Sequence, residues 1–575
     1  MVEAMDSPRE TVCDGAPHPR TETAPARRRL PLGMSRKEAL LLAALVLGCA
    51  SATALAVRKP KVAPDPTIGG APVSSAASLA GDAPVPRTYE KKVALPPKNL
   101  REDAPGFAKA RGWLNVTRTP KAEDLRGRVV VVDFWTSCCI NCMHALPTLA
   151  KLEALHKKDP VIVVGVHTQK FDAEPEPARL RASVIRYGVQ HPVAIDGDKG
   201  IWEGWGVSAW PTIMVMDAKG RIVWEQGGEP NLADLDAVVE STLAEGAEEG
   251  ALAKEPVGFL GKEVDPARPL AFPEKIVALA NGDLLVADSG HDRLVLTDAS
   301  GKVVATIGDG QRGFVDGTFE KARFAHPQGI AVLGELIYVA DTENHAIRAI
   351  DRKARTVTTV AGTGVLGNGR LGKESLPAKT TALRSPWDLA VVGGTLYVAL
   401  AGSHQIATLD PKSSTIQLFA GSGAENRSDG SRLAATFAQP SGLATDGKDL
   451  FVLDSETSSV RKIALATGEV TTLVGKALFV WGDLDGPGDK ARLQHPIGLA
   501  YGGGALYVAD TYNNKIKRID PATGETKTVA GGFGLSEPAG LVYVDGNLLV
   551  ADTNSGRIAK VTHKGEVSPF PLAGL

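Results

Sequence analysis

Cys138, Cys139 and Cys142 crowd into the stretch WTSCCINCMH of a 575-residue chain that has five cysteines in all. Three thiols so close together cannot staple a chain of this size, so their spacing points to redox or metal chemistry and not to a disulfide framework. Cys139 and Cys142 form a C-x-x-C. On a helix start the second sulfur of such a pair lies one turn after the first, close enough to attack a mixed disulfide formed there. The free amide hydrogens and dipole of a helix start also favour a thiolate, which makes Cys139 the nucleophile and Cys142 the resolving thiol. Cys138 and Cys142 form a C-x-x-x-C as well, and with His144 they offer a soft-metal ligand set as an alternative. Cys138 is otherwise an accessory thiol.

These side chains need a strand, a turn and a helix to hold them. RVVVVDFW, just before the cysteines, is a run of β-branched and aromatic residues that suits a strand buried on both faces of a sheet. After them, MHALPTLAKLEALHKK places Ala145, Leu149, Leu152 and Leu155 at helical spacing. A later strand, VIVVGVHT, and the stretch WGVSAWPTIMVMDAKGRIVWEQGG supply the second half of an α/β domain.

The segment VDFWTSCCINC resembles the active-site segment of the thioredoxin superfamily, and the resemblance extends over roughly Arg87 to Glu245. It implies that Asp133 is a buried carboxylate assisting proton transfer and that Phe134 and Trp135 match the aromatic pair that follows it. It also implies that Pro211, in WPT, is the cis-proline beside which substrate backbone docks, with Trp210 and Trp135 at the substrate groove. Cys138 replaces the usual tryptophan before the first cysteine, and Ile140-Asn141 replaces Gly-Pro between the pair. The metal alternative resembles thioredoxin-fold copper-delivery proteins, whose distant histidine would have to be His167 or His191. A peroxidase alternative has Thr136-x-x-Cys139 in its favour, but Val132 stands where peroxiredoxins place a proline. The dithiol chemistry itself calls for no cofactor.

Beyond Val257 the chain repeats itself. HPQGIAVLGELIYVADTENHAIRAI, QPSGLATDGKDLFVLDSETSSVRKI and HPIGLAYGGGALYVADTYNNKIKRI are three of six copies, led by Pro273, Pro327, Pro386, Pro440, Pro496 and Pro538. Each copy carries an Asp at the end of its second strand, at 288, 341, 454, 510 and 552, except the third, where Leu400 fills the slot. Three short strands and then a fourth, repeated radially, describe propeller blades. The units resemble NHL repeats, which implies a six-bladed β-propeller, and the repeated Asp residues read as partners for backbone groups in turns. Inserts between the last strand of one blade and the first of the next emerge on one face, the natural place for an unidentified protein or ligand to bind.

Ahead of both domains, Ala39 to Val57 carries no charge and is flanked by basic residues, Arg27, Arg28, Arg29, Arg36 and Lys37 on one side and Arg58, Lys59 and Lys61 on the other. It is long enough to span a bilayer, and the basic excess before it sends the bulk of the chain outward, to a periplasmic or cell-envelope location in a bacterium. The same segment reads as a secretory signal: VLGC resembles a lipoprotein box that would leave Cys49 to be acylated, with Met34 as an alternative start to Met1. A net charge of −2, with 43% hydrophobic and 23% charged residues, offers no basic field for nucleic acid.

The expected organisation is therefore a cytoplasmic or cleaved segment (1–38), a transmembrane helix or lipoprotein-type signal (39–57), a disordered linker (58–86), a thioredoxin-like domain (87–245), a linker (246–257) and a six-bladed propeller (258–575). The order of CCINCMH and six repeats closely resembles the NHL-repeat-containing protein 2-like family and its bacterial members. That resemblance implies two domains packed together with the cysteines near a cleft between them. The function expected is a membrane-tethered thiol-disulfide oxidoreductase acting on a protein thiol or disulfide, with the propeller recognising the partner. A redox-regulated scaffold without catalysis is the alternative.

Overall fold

The hydrophobic run VVVVDFW forms a strand, Val129–Trp135, that is buried along its whole length. Successive side chains point to opposite faces, so Val130, Val132 and Phe134 enter one core layer and Val129 and Val131 the other. Burial on both faces demands helices above and below, and the long helix Ile140–Leu155 answers by packing Leu149 and Leu152 against Val129 and Val131. In chain order the strands are β1 (Trp113–Leu114), β2 (Val129–Trp135), β3 (Val161–Thr168), β4 (Val193–Asp196), β5 (Thr212–Met216) and β6 (Ile222–Gly227). They make one sheet in the order β1-β4-β3-β2-β5-β6, with β2 parallel to β3 and antiparallel to β5. β2 is thus a central strand, and the cysteines leave its carboxyl end.

The computed structural model describes residues 93–575, apart from 533. The anchor or signal segment, Met34, Cys49 and the linker to residue 86 lie outside the described residues. Among those described, no helix is long and apolar enough to cross a membrane.

The first domain extends further than the sequence places it. Its last helix runs to Glu248, and the following segment stays on the sheet. The amide of Ala253 donates to the carbonyl of Gly127 at 2.7 Å and that of Glu263 to the side chain of Asn115 at 2.8 Å. Phe259, assigned to the propeller by its sequence position, sits in the first domain's core. Aromatic packing outweighs the repeat boundary there.

From Pro273 onward six antiparallel sheets follow, each built from four strands and opened by a leading proline or its neighbours. In blades 2, 3 and 4 the preceding insert adds a two-residue strand, Gly317–Thr318, Leu376–Pro377 or Gly430–Ser431, along the outer edge. That pairing covers an edge that would otherwise expose backbone groups. The repeated Asp residues satisfy backbone as their turn positions suggest: Asp288, Asp341, Asp454, Asp510 and Asp552 each accept an amide hydrogen two residues before a leading proline, at 2.6–2.8 Å. The hydroxyl after each of them reaches the next blade. Ser289, Thr342, Ser455 and Thr511 donate to the carbonyls of Pro327, Pro386, Pro496 and Pro538, and Thr553 donates to Pro273, closing the ring from the last blade to the first. Blade 3 has Leu400 and Ala401 in these two places, and Ala401 packs against Ile140 of the cysteine helix instead.

Candidate functional site

Cys139 is the N-cap of the helix Ile140–Leu155, and its sulfur accepts the amide hydrogen of Cys142 at 3.4 Å. This is the geometry in which helix amides stabilise a thiolate. All three thiols are free. Cys138 and Cys142 are fully buried, whereas Cys139 keeps 8% of its surface. Burial, with the hydrogen bond to Cys139 next, pushes the Cys142 thiol well up; burial, then the charges of Glu174 and Glu456, does the same to Cys138. The one thiol with solvent contact is therefore the one at the helix start.

Asp133, on β2, is fully buried with neither carboxylate oxygen hydrogen-bonded, and burial lifts its pKa to about 7, against the opposing charge of His191. A carboxyl with that value can hold or release a proton near neutral pH. The Trp210–Pro211 peptide bond is cis, and Trp210 is half-buried, its ring tilted against that of Trp202 with centroids 4.3 Å apart. Lys170 and Lys199 lie over its indole at 5.8 and 5.4 Å. Trp135, expected at the groove, is 1% exposed and packs edge-on to His167 at 5.0 Å; it belongs to the core because it ends a strand covered on both faces.

The metal alternative does not assemble. His144 points away from the thiols: its Nδ1 lies 2.7 Å from Glu229 and its Nε2 2.7 Å from Ser385 of the propeller. His167 takes the amide hydrogen of Ser137 on Nε2 at 3.1 Å, and His191 Nδ1 faces Glu153 at 3.4 Å. Among the described residues, the side chains spaced to hold a metal ion are His156, Asp236 and Glu240, at the far end of the cysteine helix.

Sequence reasoning left the loop face of the propeller open for a partner, but the chain's own thioredoxin-like domain covers it. The residue before each leading proline, Phe272, His326, Ser385, Gln439, His495 and Glu537, has a left-handed φ of 44° to 64°. Each such residue costs on the order of 1–3 kcal/mol in backbone strain. Five of the six are held by the neighbouring blade: their amides donate to side chains of Asp292, His345, His404, Ser458 and Asn514 at 2.8–3.2 Å. All six then meet the first domain. Phe272 lies under the Arg186 guanidinium at 5.2 Å, His326 faces Tyr187 at 6.3 Å and His495 faces Phe171 at 5.2 Å. Ser385 meets His144, and Glu537 pairs with Arg179 at 3.2 Å and Arg186 at 3.0 Å. Gln439 reaches the cysteine turn itself: its Oε1 accepts the amide hydrogen of Ile140, and its Nε2 donates to the carbonyl of Cys138, both at 2.9 Å. The signal that could have revealed this ring was its variability, five side-chain types among the six copies of one fixed position in an otherwise regular repeat.

Two further groups surround the thiols. Glu174, fully buried, accepts from the hydroxyls of Thr136 and Ser137 and from the amides of Lys170 and Phe171 at 2.6–3.0 Å. Burial raises its pKa, but His167 and those donors outweigh it and hold the carboxyl below its usual value. Lys170 forms a buried ion pair with Glu456 of the propeller. Burial disfavours its charge, yet Glu456 and the nearby Cys138 and Cys139 more than restore it. On the propeller side Tyr512 joins the hydrophobic cluster of the three cysteines, with its hydroxyl 3.3 Å from that of Ser137.

Comparisons with known proteins follow the same two parts. The family model described as thioredoxin-like matches residues 127–222, the NHL repeat model matches 324–350, and one described as outer membrane protein assembly factor BamB matches 367–574. NHL repeat-containing protein 2 of Gallus gallus is 40% identical over 479 residues, which cover 77% of this chain and 65% of that protein. Protein SUPPRESSOR OF QUENCHING 1, chloroplastic, of Arabidopsis thaliana is 40% identical over 461 residues, 76% of this chain and 43% of that protein. The thiol-disulfide oxidoreductase ResA of Bacillus thuringiensis (strain Al Hakam) is 28% identical over 118 residues, 20% of this chain and 65% of that protein. The chain thus spans less than two thirds of the length of these relatives. Identity of this extent, running through the cysteine-bearing sheet and on through the repeats, shows that the chain belongs to the NHL repeat-containing protein 2 family, a thioredoxin-like domain followed by a six-bladed NHL propeller.

Proposed function

We propose that the protein is a thiol-disulfide oxidoreductase in which Cys139 is the nucleophile and Cys142 the resolving thiol. The observation that carries this reading is the position of Cys139 at the cap of a helix whose Cys142 amide points at its sulfur, beside a buried carboxyl with a pKa of about 7. The Cys139 thiolate attacks a substrate disulfide and one substrate thiolate leaves. Cys142 then gives up its proton, with Asp133 as acceptor, and attacks the Cys139 sulfur; an intramolecular disulfide forms and the second substrate thiol departs. Trp210 and Pro211 border the place where substrate approaches, and the propeller governs that approach. The resemblance to ResA supports the same reaction class. The charge-free segment from Ala39 to Val57 tethers the chain to a membrane in this reading, with both domains outside the cytoplasm; alkaline carbonate extraction of membranes containing the wild type and a Cys49→Ala variant tests that part.

Equilibrating the full chain with glutathione mixtures under anaerobic conditions, and following the thiols by alkylation and mass spectrometry, tests the chemistry. A reversible Cys139–Cys142 disulfide between about −270 and −120 mV supports it, and a stable mixed disulfide on Cys139 in Cys142→Ser identifies the nucleophile. Absence of both sinks it. A second reading, a non-catalytic redox-regulated scaffold, is favoured by the complete burial of Cys138 and Cys142. It predicts that Cys139→Ser keeps function while substitutions in the ring of pre-proline residues abolish it.

A further inference from the structure

The side-chain carboxamide of glutamine offers the same donor and acceptor as a peptide group, and Gln439 uses both on the backbone that carries the nucleophile. Substrate backbone, wherever it docks on such a site, needs free donors and acceptors of this kind. We propose that Gln439 is a specificity-determining residue: it fills the hydrogen-bonding positions on either side of Cys139, so that the site takes disulfides carried by small molecules and excludes those embedded in a folded protein. The proposal rests on reading Cys139 and Cys142 as a dithiol pair.

Gln439 is built for the task. It is 1% exposed, its φ of 64° lies in the left-handed region, and its amide is held by the ring of His404 at 3.1 Å. Ile140, beside the nucleophile, packs against Trp387 and Ala401 of the propeller, and Tyr512 closes over the cysteine cluster from another side. Cys139 keeps only a sliver of exposed surface. What borders the site besides is Lys170, placed between the rings of Trp210 at 5.8 Å and Phe479 at 5.5 Å, with Phe479 itself exposed. A folded protein cannot bring its own surface into so narrow an opening between two packed domains. Lys170 is already paired with Glu456 of the propeller, so admission rests on size, and a small disulfide such as oxidised glutathione can enter.

The reaction balances with that substrate: the Cys139 thiolate takes one glutathione sulfur and expels the other as thiolate, Cys142 displaces the first, and the substrate gains two electrons and two protons as the protein dithiol becomes a disulfide. The test uses the reduced full chain, mixed anaerobically with oxidised glutathione or with intact insulin, and reads Cys139–Cys142 disulfide by acid quench, alkylation and mass spectrometry. In the wild type, oxidised glutathione reacts about tenfold faster than insulin or more. Gln439→Met keeps the side-chain length but removes both hydrogen bonds; it raises the insulin rate about tenfold, the effect expected of losing two hydrogen bonds from the closed state, and leaves the glutathione rate within about threefold. Gln439→Glu keeps the acceptor for Ile140 and turns the donor facing Cys138 into an acceptor; it gives a smaller rise and serves if Gln439→Met does not fold. Equal wild-type rates, or a variant that raises both rates alike, overturn the assignment of Gln439 while leaving the dithiol intact. No disulfide with either oxidant in any form overturns the dithiol reading and the proposal with it.

Discussion

Nε2 of His144 lies 2.7 Å from Oγ of Ser385, and this contact pins the cysteine helix to the third blade of the propeller. The other ring nitrogen is held by Glu229, which Arg384 of the same blade also binds. Helix position and domain docking are therefore set by one cluster. Whatever loosens the domains also frees the helix that carries Cys139.

Ser385→Ala removes the hydroxyl and leaves a buried ring nitrogen unsatisfied, a loss of about 1–3 kcal/mol. Denaturant unfolding should show it, together with faster alkylation of Cys139 under native conditions. A stability loss without any change in thiol reactivity would mean that docking and helix position are independent.

Asp133 gives the fold a pH dependence of known sign. Burial lifts its pKa from 3.8 to about 7, so between those values the folded state holds a proton that the unfolded state has lost. Stability contributed by this group is whole below the unfolded pKa and falls as pH rises toward 7, by up to about 4 kcal/mol for a shift of three units. Asp133→Asn should flatten that slope in chemical denaturation between pH 4 and 7. The same substitution should slow the attack by Cys142 on a mixed disulfide and erase an inflection near pH 7 in its rate, as read by stopped-flow release of a chromogenic thiol.

The buried pair of Lys170 and Glu456 crosses from one domain to the other with side chains 10% and 2% exposed. Lys170→Met leaves Glu456 charged and unpaired and should cost about 3–5 kcal/mol, whereas Lys170→Met combined with Glu456→Met should recover most of it. A double-mutant cycle by guanidinium unfolding measures the coupling. Additive losses would show that the two charges do not support each other.

Thr553 donates to the Pro273 carbonyl at 2.7 Å and joins the last blade to the first. Thr553→Val should lose about 1–2 kcal/mol, and hydrogen exchange should rise first at the seam between blades 6 and 1. Thr342→Val, which breaks the equivalent bond between blades 2 and 3, serves as control and should leave that seam protected.

How much was legible depends on whether a residue serves its own neighbours in the chain or a distant surface. The strand Val129–Trp135, the cysteine turn and the helix after it follow from side-chain period and from amides that must be capped within a few residues. The leading prolines and repeated Asp residues are equally plain, because each blade solves the same local backbone problem with the same atoms. Trp135 was placed at the groove by resemblance, whereas the run that it ends already suited a strand buried on both faces, and the core is where it lies. Phe259 was placed in the propeller because it adjoins the repeats in sequence, and nothing local marks the distant core that it enters.

The buried carboxyl of Asp133 came only from the resemblance to thioredoxins. By itself, the sequence determined two domains, six blades and a C-x-x-C at a helix start. Each of these is a matter of local spacing and of which residues can be left in contact with solvent. Only the tertiary structure decided that the loop face of the propeller is closed by the chain's own first domain, and that Gln439 lies across the backbone of the thiol that precedes it by about three hundred residues. The residues before the prolines vary, five types in six positions, because each answers its own patch on the opposing domain, and complementarity across an interface leaves no period to read.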